Sequence, residues 1–578
     1  MKKKLPIGIS NFKEIIEDEY YYFDKTEFIE NLFEEVSKIK LFTRPRRFGK
    51  TLNMSMIKYF FDIEKKNENK KLFENLKISE NEYFKKQGTA PVISISFRNY
   101  DESSWGNGFE MIKNTISDLY DEFEFVKENL SARKKEKYDS ILFNRATEAT
   151  WKLSLLDLTK YLYEYYGQKV VVLIDEYDQP IIDSYVKGYY QEAISFFKTF
   201  YGVVLKDNNY LEMGIMTGIL RVAKENIFSG LNNLRVHTIL DNRFTEYFGI
   251  TESEIEKALK DFDLEFELQD VQKWYNGYLF GDIKVYNPWS IINFLNDEKL
   301  KSYWVNTSGN ELIKLYLKKL KNEIFDDFSK LLNREEIYKR INENMTFSNL
   351  ESNYSKNIWN LFFHSGYLTL GKKIEDDGMC YLKIPNEEIL KMFSEMFIEI
   401  YFEDYEKFLY MSNALREGNI SDFEKYLKDI YPVLMEGYKD FCGFKKISEQ
   451  DFIKLYSPLK MVIDTDVVFL AYKENRLKGF LICLPDYGNL LCKPGTPALS
   501  LNVMSVKSKA KRYVLLYMGV EKDCLGLGSA LSQMVVDKLR EKKASGISAL
   551  IHTGKATGGY FKDKIKTQRK YVLLEKMI

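Results

Sequence analysis

The stretch Phe42-Thr43-Arg44-Pro45-Arg46-Arg47-Phe48-Gly49-Lys50-Thr51 decides how this chain is read. It follows Ile39-Lys40-Leu41-Phe42, a short strand by pattern, and precedes Leu52-Asn53-Met54-Ser55-Met56-Ile57, which opens a helix. A loop between a strand and a helix puts backbone amides and a helix N-terminus where phosphate can be cradled. Lys50 would then meet the β- and γ-phosphates, and Thr51 would offer its hydroxyl to Mg²⁺. In the pattern GxxxxGK[ST] the first glycine falls at position 44, where this chain has Arg44. Taken alone, Phe48-Gly49-Lys50-Thr51 reads equally well as a chance loop.

Working outward, Val170-Val171-Val172-Leu173-Ile174 is an apolar run that ends in Asp175-Glu176. A buried strand ending in two carboxylates is the partner such a loop needs: Asp175 would hold the Mg²⁺ shell, and Glu176 would orient or deprotonate an attacking water. The two motifs, in this order and each at a strand end, support one another. Two more strands are expected at Pro91–Phe97 and Glu212–Thr217, and helical stretches separate all four. That spacing indicates a mainly parallel, doubly wound α/β sheet. After the last of these strands, Thr217 could sense the γ-phosphate and Arg221 could offset transition-state charge. A capping threonine and a surface arginine are the alternative.

The chain has 578 residues, which makes several domains the expectation. Apolar residues at 45% and aromatics at 15% argue against disorder. Gly and Pro number 31 and 11, both low for this length, which favours long helices over turn-rich β modules. The five cysteines form no CxxC pair and the three histidines lie far apart, so neither a disulfide framework nor a zinc ribbon is suggested. No apolar stretch approaches the roughly 20 residues of a spanning helix, and no signal-peptide core follows Met1. A soluble cytoplasmic protein is the expectation. Lys+Arg and Asp+Glu are 85 each, but the balance is a cancellation: Ser505–Ile578 holds 16 basic and 6 acidic residues.

Three domains are expected: the phosphate-binding α/β unit over 1–245, a mostly helical extension over 246–419, and a third domain over 420–578. In the last, Val467–Tyr472 and Gly479–Leu484 read as neighbouring strands.

Several blocks together resemble the AAA-ATPase-like family of prokaryotic proteins. They are the arginine-rich loop above, Pro6-Ile7-Gly8, Tyr22-Phe23-Asp24-Lys25-Thr26, Val170–Asp178, Phe228-Ser229-Gly230-Leu231-Asn232-Asn233, Trp274-Tyr275-Asn276-Gly277 and Tyr286-Asn287-Pro288-Trp289-Ser290. The resemblance spans about residues 5–410. It implies a P-loop NTPase-like fold, ATP and Mg²⁺ as cofactors, Arg47, Gly49, Lys50 and Thr51 around the nucleotide, and Thr51 with Asp175 at the metal. Relatives of this kind usually end in a PD-(D/E)XK nuclease-like domain. No such acidic set is found after residue 420, so action on nucleic acid is not supported, although it remains an alternative by analogy.

The last domain instead carries Arg512–Val520, a strand, then Glu521-Lys522-Asp523-Cys524-Leu525-Gly526-Leu527-Gly528-Ser529 and a helix to about Lys543. Two glycines at a helix start let the backbone approach a pyrophosphate, though an ordinary helix-start turn looks the same. Strands follow at Ile547–His552 and Tyr571–Leu574. This order resembles the GNAT acetyltransferase superfamily, which implies acetyl-CoA held by Val520, Gly526, Gly528 and Ser529, an amine acceptor, and Tyr560 as acid. Tyr560 is also read as a packed aromatic, and His552 as a structural histidine rather than a base. Asp523 stands where the superfamily has Gln or Arg, so it either points outward or weakens cofactor binding. Two functions are carried forward: an ATPase fused to an acetyl-CoA-binding module, or a nucleotide- and CoA-responsive regulatory protein with little turnover, monomeric or oligomeric.

Overall fold

Five strands form the central sheet of the computed structural model: Ile39–Thr43 (β1), Val92–Ser96 (β2), Val170–Asp175 (β3), Leu211–Gly218 (β4) and Leu234–His237 (β5). Their order is β2-β3-β4-β1-β5, and every pairing is parallel. β1 and β3 are buried at every position, as expected of parallel strands covered on both faces by crossover helices. The helix Lys50–Phe61 packs on β2, β3 and β4, and Glu148–Tyr166 and Tyr190–Leu205 pack on β3 and β4. The four strands expected from sequence appear with ends shifted by a residue or so. β5 was not anticipated: it is four residues long, only His237 of it is buried, and Arg235 interrupts its apolar pattern.

The structure describes residues 3–221, 233–304, 324–332, 334–342, 354–371, 378–401, 421–439, 445–456, 462–474, 476–488, 506–507, 509–524 and 526–548. It divides into two compact units, Met1–Tyr401 and Phe402–Ile578.

Beyond the sheet, the first unit is less purely helical than its sequence suggests. A hairpin, Tyr278–Phe280 (β6) with Ile283–Val285 (β7), and an antiparallel sheet of Ile337–Arg340 (β8), Thr369–Leu370 (β9) and Met379–Lys383 (β10) interleave with the helices. Strands this short carry little periodicity, which is why helical patterning dominates the sequence there. The Tyr286–Ser290 block is a helix start. Asn287 caps the helix Pro288–Asp297 by accepting from Ser290 N–H at 3.2 Å, and Ser290 Oγ donates to the buried Glu388 at 2.7 Å.

The Tyr22–Thr26 block is a clamp. Lys25 Nζ donates to both oxygens of Glu254 at 2.6 and 2.7 Å, and Glu254 also completes the capping box of Thr251. Lys25→Met leaves Glu254 without its cation, and a pair broken on one side in a largely dry setting costs a few kcal/mol. Since Glu254 keeps some solvent contact, the expected loss is about 1–3 kcal/mol, read as a lower urea midpoint.

Burial pushes His364 down to about 4, with its Nε2 3.2 Å from the Asn342 carbonyl. An unfolded histidine, near 6.5, takes up a proton that the folded one refuses. Stability is therefore complete above about pH 6.5 and is lost as pH falls toward 4, by up to ~3 kcal/mol. Urea titrations across this range should show the drop, and His364→Gln should flatten part of it.

In the second unit, Val468–Lys473 (β11), Arg476–Pro485 (β12), Arg512–Val520 (β13) and Ser545–Ser548 (β14) lie in that order. The first two pairings are antiparallel and β13–β14 is parallel. Alternation along β12 feeds two cores: Phe480, Ile482 and Leu484 pack with Leu427, Ile430 and Val433, whereas Leu481 and Cys483 pack with Leu531 and Val535. The expected strand Tyr571–Leu574 lies outside the described residues.

Candidate functional site

Arg44 is fully buried, and this resolves the departure from glycine. Its N–H donates to the Gly218 carbonyl at 3.0 Å, so the backbone stays on the line of β1. One terminal nitrogen of its side chain donates to the carbonyl of Thr43, at the end of β1, at 2.9 Å and to that of His237, at the end of β5, at 2.8 Å. The guanidinium carbon lies 4.9 Å from the ring centre of Phe248 and 5.6 Å from that of Phe280. Nε and the other terminal nitrogen have no hydrogen-bond partner among the described residues, and burial pushes the group down to about 9. His237 itself is buried and stacked on Phe42, which makes it a core residue.

The loop's far end turns through two left-handed residues, Arg47 (φ 67°) and Gly49 (φ 77°). A side chain at 49 would have space but a strained backbone. The first helical bond runs from Asn53 N–H to the Gly49 carbonyl, so the amides of Lys50, Thr51 and Leu52 precede the helical ladder and are available to an anion. Arg47 lays its guanidinium 4.2 Å over the Trp289 ring. Burial lowers its pKa, and the nearby charges of Arg98 and Arg46 lower it further. Three arginines thus make the rim of the loop positive.

Lys50 is almost wholly buried. Its Nζ donates to the carbonyls of Arg44 and Pro45, both at 3.2 Å, and lies 3.3 Å from Glu176 Oε1. Thr51 Oγ1 donates to Asp175 Oδ2 at 2.8 Å, and Ser96 Oγ approaches the same oxygen at 3.4 Å from the end of β2. Thr217 Oγ1 donates to Asp175 Oδ1 and accepts from Glu176 N–H at 3.4 Å. Burial raises the Asp175 pKa, the neighbouring Glu176 charge raises it further, and its hydrogen bonds lower it. Glu176 holds φ at 51°, a conformation a non-glycine residue adopts at a cost, with its side chain partly exposed.

This donor set fits Mg²⁺ and a polyphosphate. A hard cation takes oxygen ligands, and Thr51 with Asp175 offers a hydroxyl and a carboxylate 2.8 Å apart. A carboxylate whose burial disfavours its charge is the group a divalent cation would stabilise.

Residues 6–228 match the AAA-ATPase-like family, described as "Predicted AAA-ATPase". For this AAA-ATPase-like region the match points to nucleotide binding, with ATP as the nucleotide and Mg²⁺ as its metal. A protein of Azotobacter chroococcum mcd 1, described as an uncharacterized protein in the vnfD 5' region, is 27% identical over 410 residues. The alignment covers 70% of this chain and 71% of that protein.

The remaining sequence-derived site residues are placed as follows. Arg221 stands three residues beyond the end of β4, its Nε buried without a hydrogen-bond partner among the described residues. In the second unit, Val520 ends β13, Gly526 takes φ 87° at the start of the helix Leu527–Glu541, Gly528 is buried and Ser529 is exposed. Asp523 is exposed, and Lys478 Nζ lies 3.5 Å from it. Tyr560 and His552 lie outside the described residues. Sequence reasoning did not single out Ser96, Arg98 or Asp178. For Ser96 a signal existed, since the C-terminal ends of parallel strands in one sheet converge on one edge.

Proposed function

We propose that the first unit binds Mg-ATP in the loop Arg44–Thr51 and hydrolyses it. The observation that carries this reading is the meeting of the helix start after the β1 loop with the end of β3: Thr51 on Asp175, and Lys50 on Glu176. Lys50 would exchange its carbonyl partners for phosphate oxygens, the loop amides and the arginine rim would hold the polyphosphate, and Thr51 with Asp175 would hold the metal. Bound Mg²⁺ would screen the phosphate charge. Glu176 is the group that would orient and deprotonate the attacking water. Thr217 fixes the Asp175 carboxylate, and Arg221 would offset charge on the transferring phosphoryl group. Calorimetry with Mg-ATP and phosphate release from the full chain test this; absence of ATP binding by the parent would sink it.

For the second unit we propose a GNAT-like module that binds acetyl-CoA and passes the acetyl group to an unidentified amine. Support comes from the parallel β13–β14 pair joined by a helix that begins at left-handed Gly526 and buried Gly528, a helix N-terminus of the kind that receives pyrophosphate. Asp523 is turned to solvent with Lys478 beside it, so its charge does not close that approach. Failure of acetyl-CoA to bind the full chain in calorimetry would reduce this unit to a fold without that chemistry.

A further inference from the structure

Asp178 occupies the position before the helix Gln179–Lys187, where an aspartate ordinarily caps its own helix. It makes no such bond. Its carboxylate instead turns to the exit of β4, where Oδ2 accepts the N–H groups of both Ile219 and Leu220 at 2.8 Å. The residue is completely buried, and Oδ1 has no hydrogen-bond partner among the described residues. A buried carboxylate with one satisfied oxygen is costly, so its use needs a reason other than general stability.

The reason lies in what those amides belong to. Each residue from Asp175 to Asp178 holds the β4 exit. Asp175 and the Glu176 N–H take the two sides of the Thr217 hydroxyl. Tyr177 N–H donates to the Thr217 carbonyl at 3.0 Å, and the Tyr177 hydroxyl donates to the Leu220 carbonyl at 2.6 Å. Asp178 closes the series. Gly218 sits inside this seam, since a Cβ there would come within 2.6 Å of Asp178 Oδ1 and 2.7 Å of the Tyr177 ring. The turn so fixed is flanked by Thr217 and Arg221, the two β4-exit groups to which the ATPase reading gives a part in phosphate chemistry.

We infer that Asp178 is a positioning residue for ATP hydrolysis: by pinning the Ile219–Leu220 amides to the end of β3 it sets Thr217 and Arg221 against Glu176, and turnover depends on it while nucleotide binding does not. This rests on the proposed ATPase reading. Misplacing a group that acts on the transition state costs rate without costing ground-state affinity.

The test compares parent, Asp178→Ala, Asp178→Asn and Tyr177→Phe in the full chain, with Mg-ATP affinity, phosphate release at saturating ATP and a melting curve for each. The expected result is a kcat lower by about 10- to 100-fold in Asp178→Ala with affinity within threefold of the parent. Asp178→Asn, which keeps an acceptor for both amides, should restore most of the rate. Should Asp178→Ala fail to fold, Tyr177→Phe removes the Leu220 contact without a cavity and is expected to slow turnover by about 3- to 10-fold at unchanged affinity. A parent that hydrolyses ATP while both Asp178→Ala and Tyr177→Phe keep its kcat overturns the inference, as does a folded Asp178→Ala that loses affinity and rate in proportion. A parent that neither binds nor hydrolyses ATP overturns the ATPase reading itself, and the positioning role falls with it.

Discussion

Lys50→Ala is expected to weaken Mg-ATP binding by about 10²- to 10³-fold. In the folded protein the Lys50 ammonium donates to the Arg44 and Pro45 carbonyls and faces Glu176 as an ion pair at 3.3 Å, and the side chain is almost out of water. A phosphate arriving there meets a charge already desolvated and aimed, so the contact is worth more than one at a surface. Truncating one partner of such a pair costs about 2–5 kcal/mol, and each factor of ten is about 1.4 kcal/mol. The substitution also leaves Glu176 without its cation, so calorimetry should be paired with a melting curve. An unchanged dissociation constant in a folded variant would remove the loop from the nucleotide site.

Glu176→Gln is expected to have the opposite profile, with Mg-ATP held as tightly as by the parent or more so, and phosphate release slowed by about 10²- to 10⁴-fold. Glutamine keeps the size of the side chain and an oxygen opposite Lys50, but it cannot take a proton from water. Holding a glutamate at φ 51° costs local stability, and that cost fits a side chain held for a task. Steady-state phosphate release at saturating ATP, set beside the calorimetric affinity, reads the split. Equal turnover in the two proteins would mean that water is activated elsewhere.

Much of the first unit was legible in its sequence because its signals are local. Val170–Ile174 is apolar throughout, and the carboxylates come directly after it, so a strand and its functional end are read together. Lys50 and Thr51 follow Gly49 directly, between a strand pattern and a helix pattern, another local cue. What was not legible depends on partners far along the chain. Arg44 looked like an obstruction until its guanidinium was found on the His237 carbonyl, 193 positions away. Asp178 carried no sequence signal of its role, because the amides it serves lie just past β4, 41 and 42 residues on. Beyond β5, strands of two to five residues were overshadowed by stronger helical periodicity around them. In the second unit the β11–β12 pair was readable from two apolar runs spaced as neighbours, whereas the exposure of Asp523 is something no spacing conveys.

The buried arginine at the head of the phosphate loop has a consequence for anyone wishing to exchange such loops between proteins. A glycine-headed loop grafted onto this scaffold would leave a hollow under Phe248 and Phe280 and withdraw the donor that the ends of β1 and β5 share. An arginine-headed loop grafted onto a glycine-type scaffold would have no bed to lie in. The two versions are therefore different cores rather than interchangeable spellings, and a working chimera would have to carry position 44 together with the Thr238–Phe248 segment and the β6 hairpin.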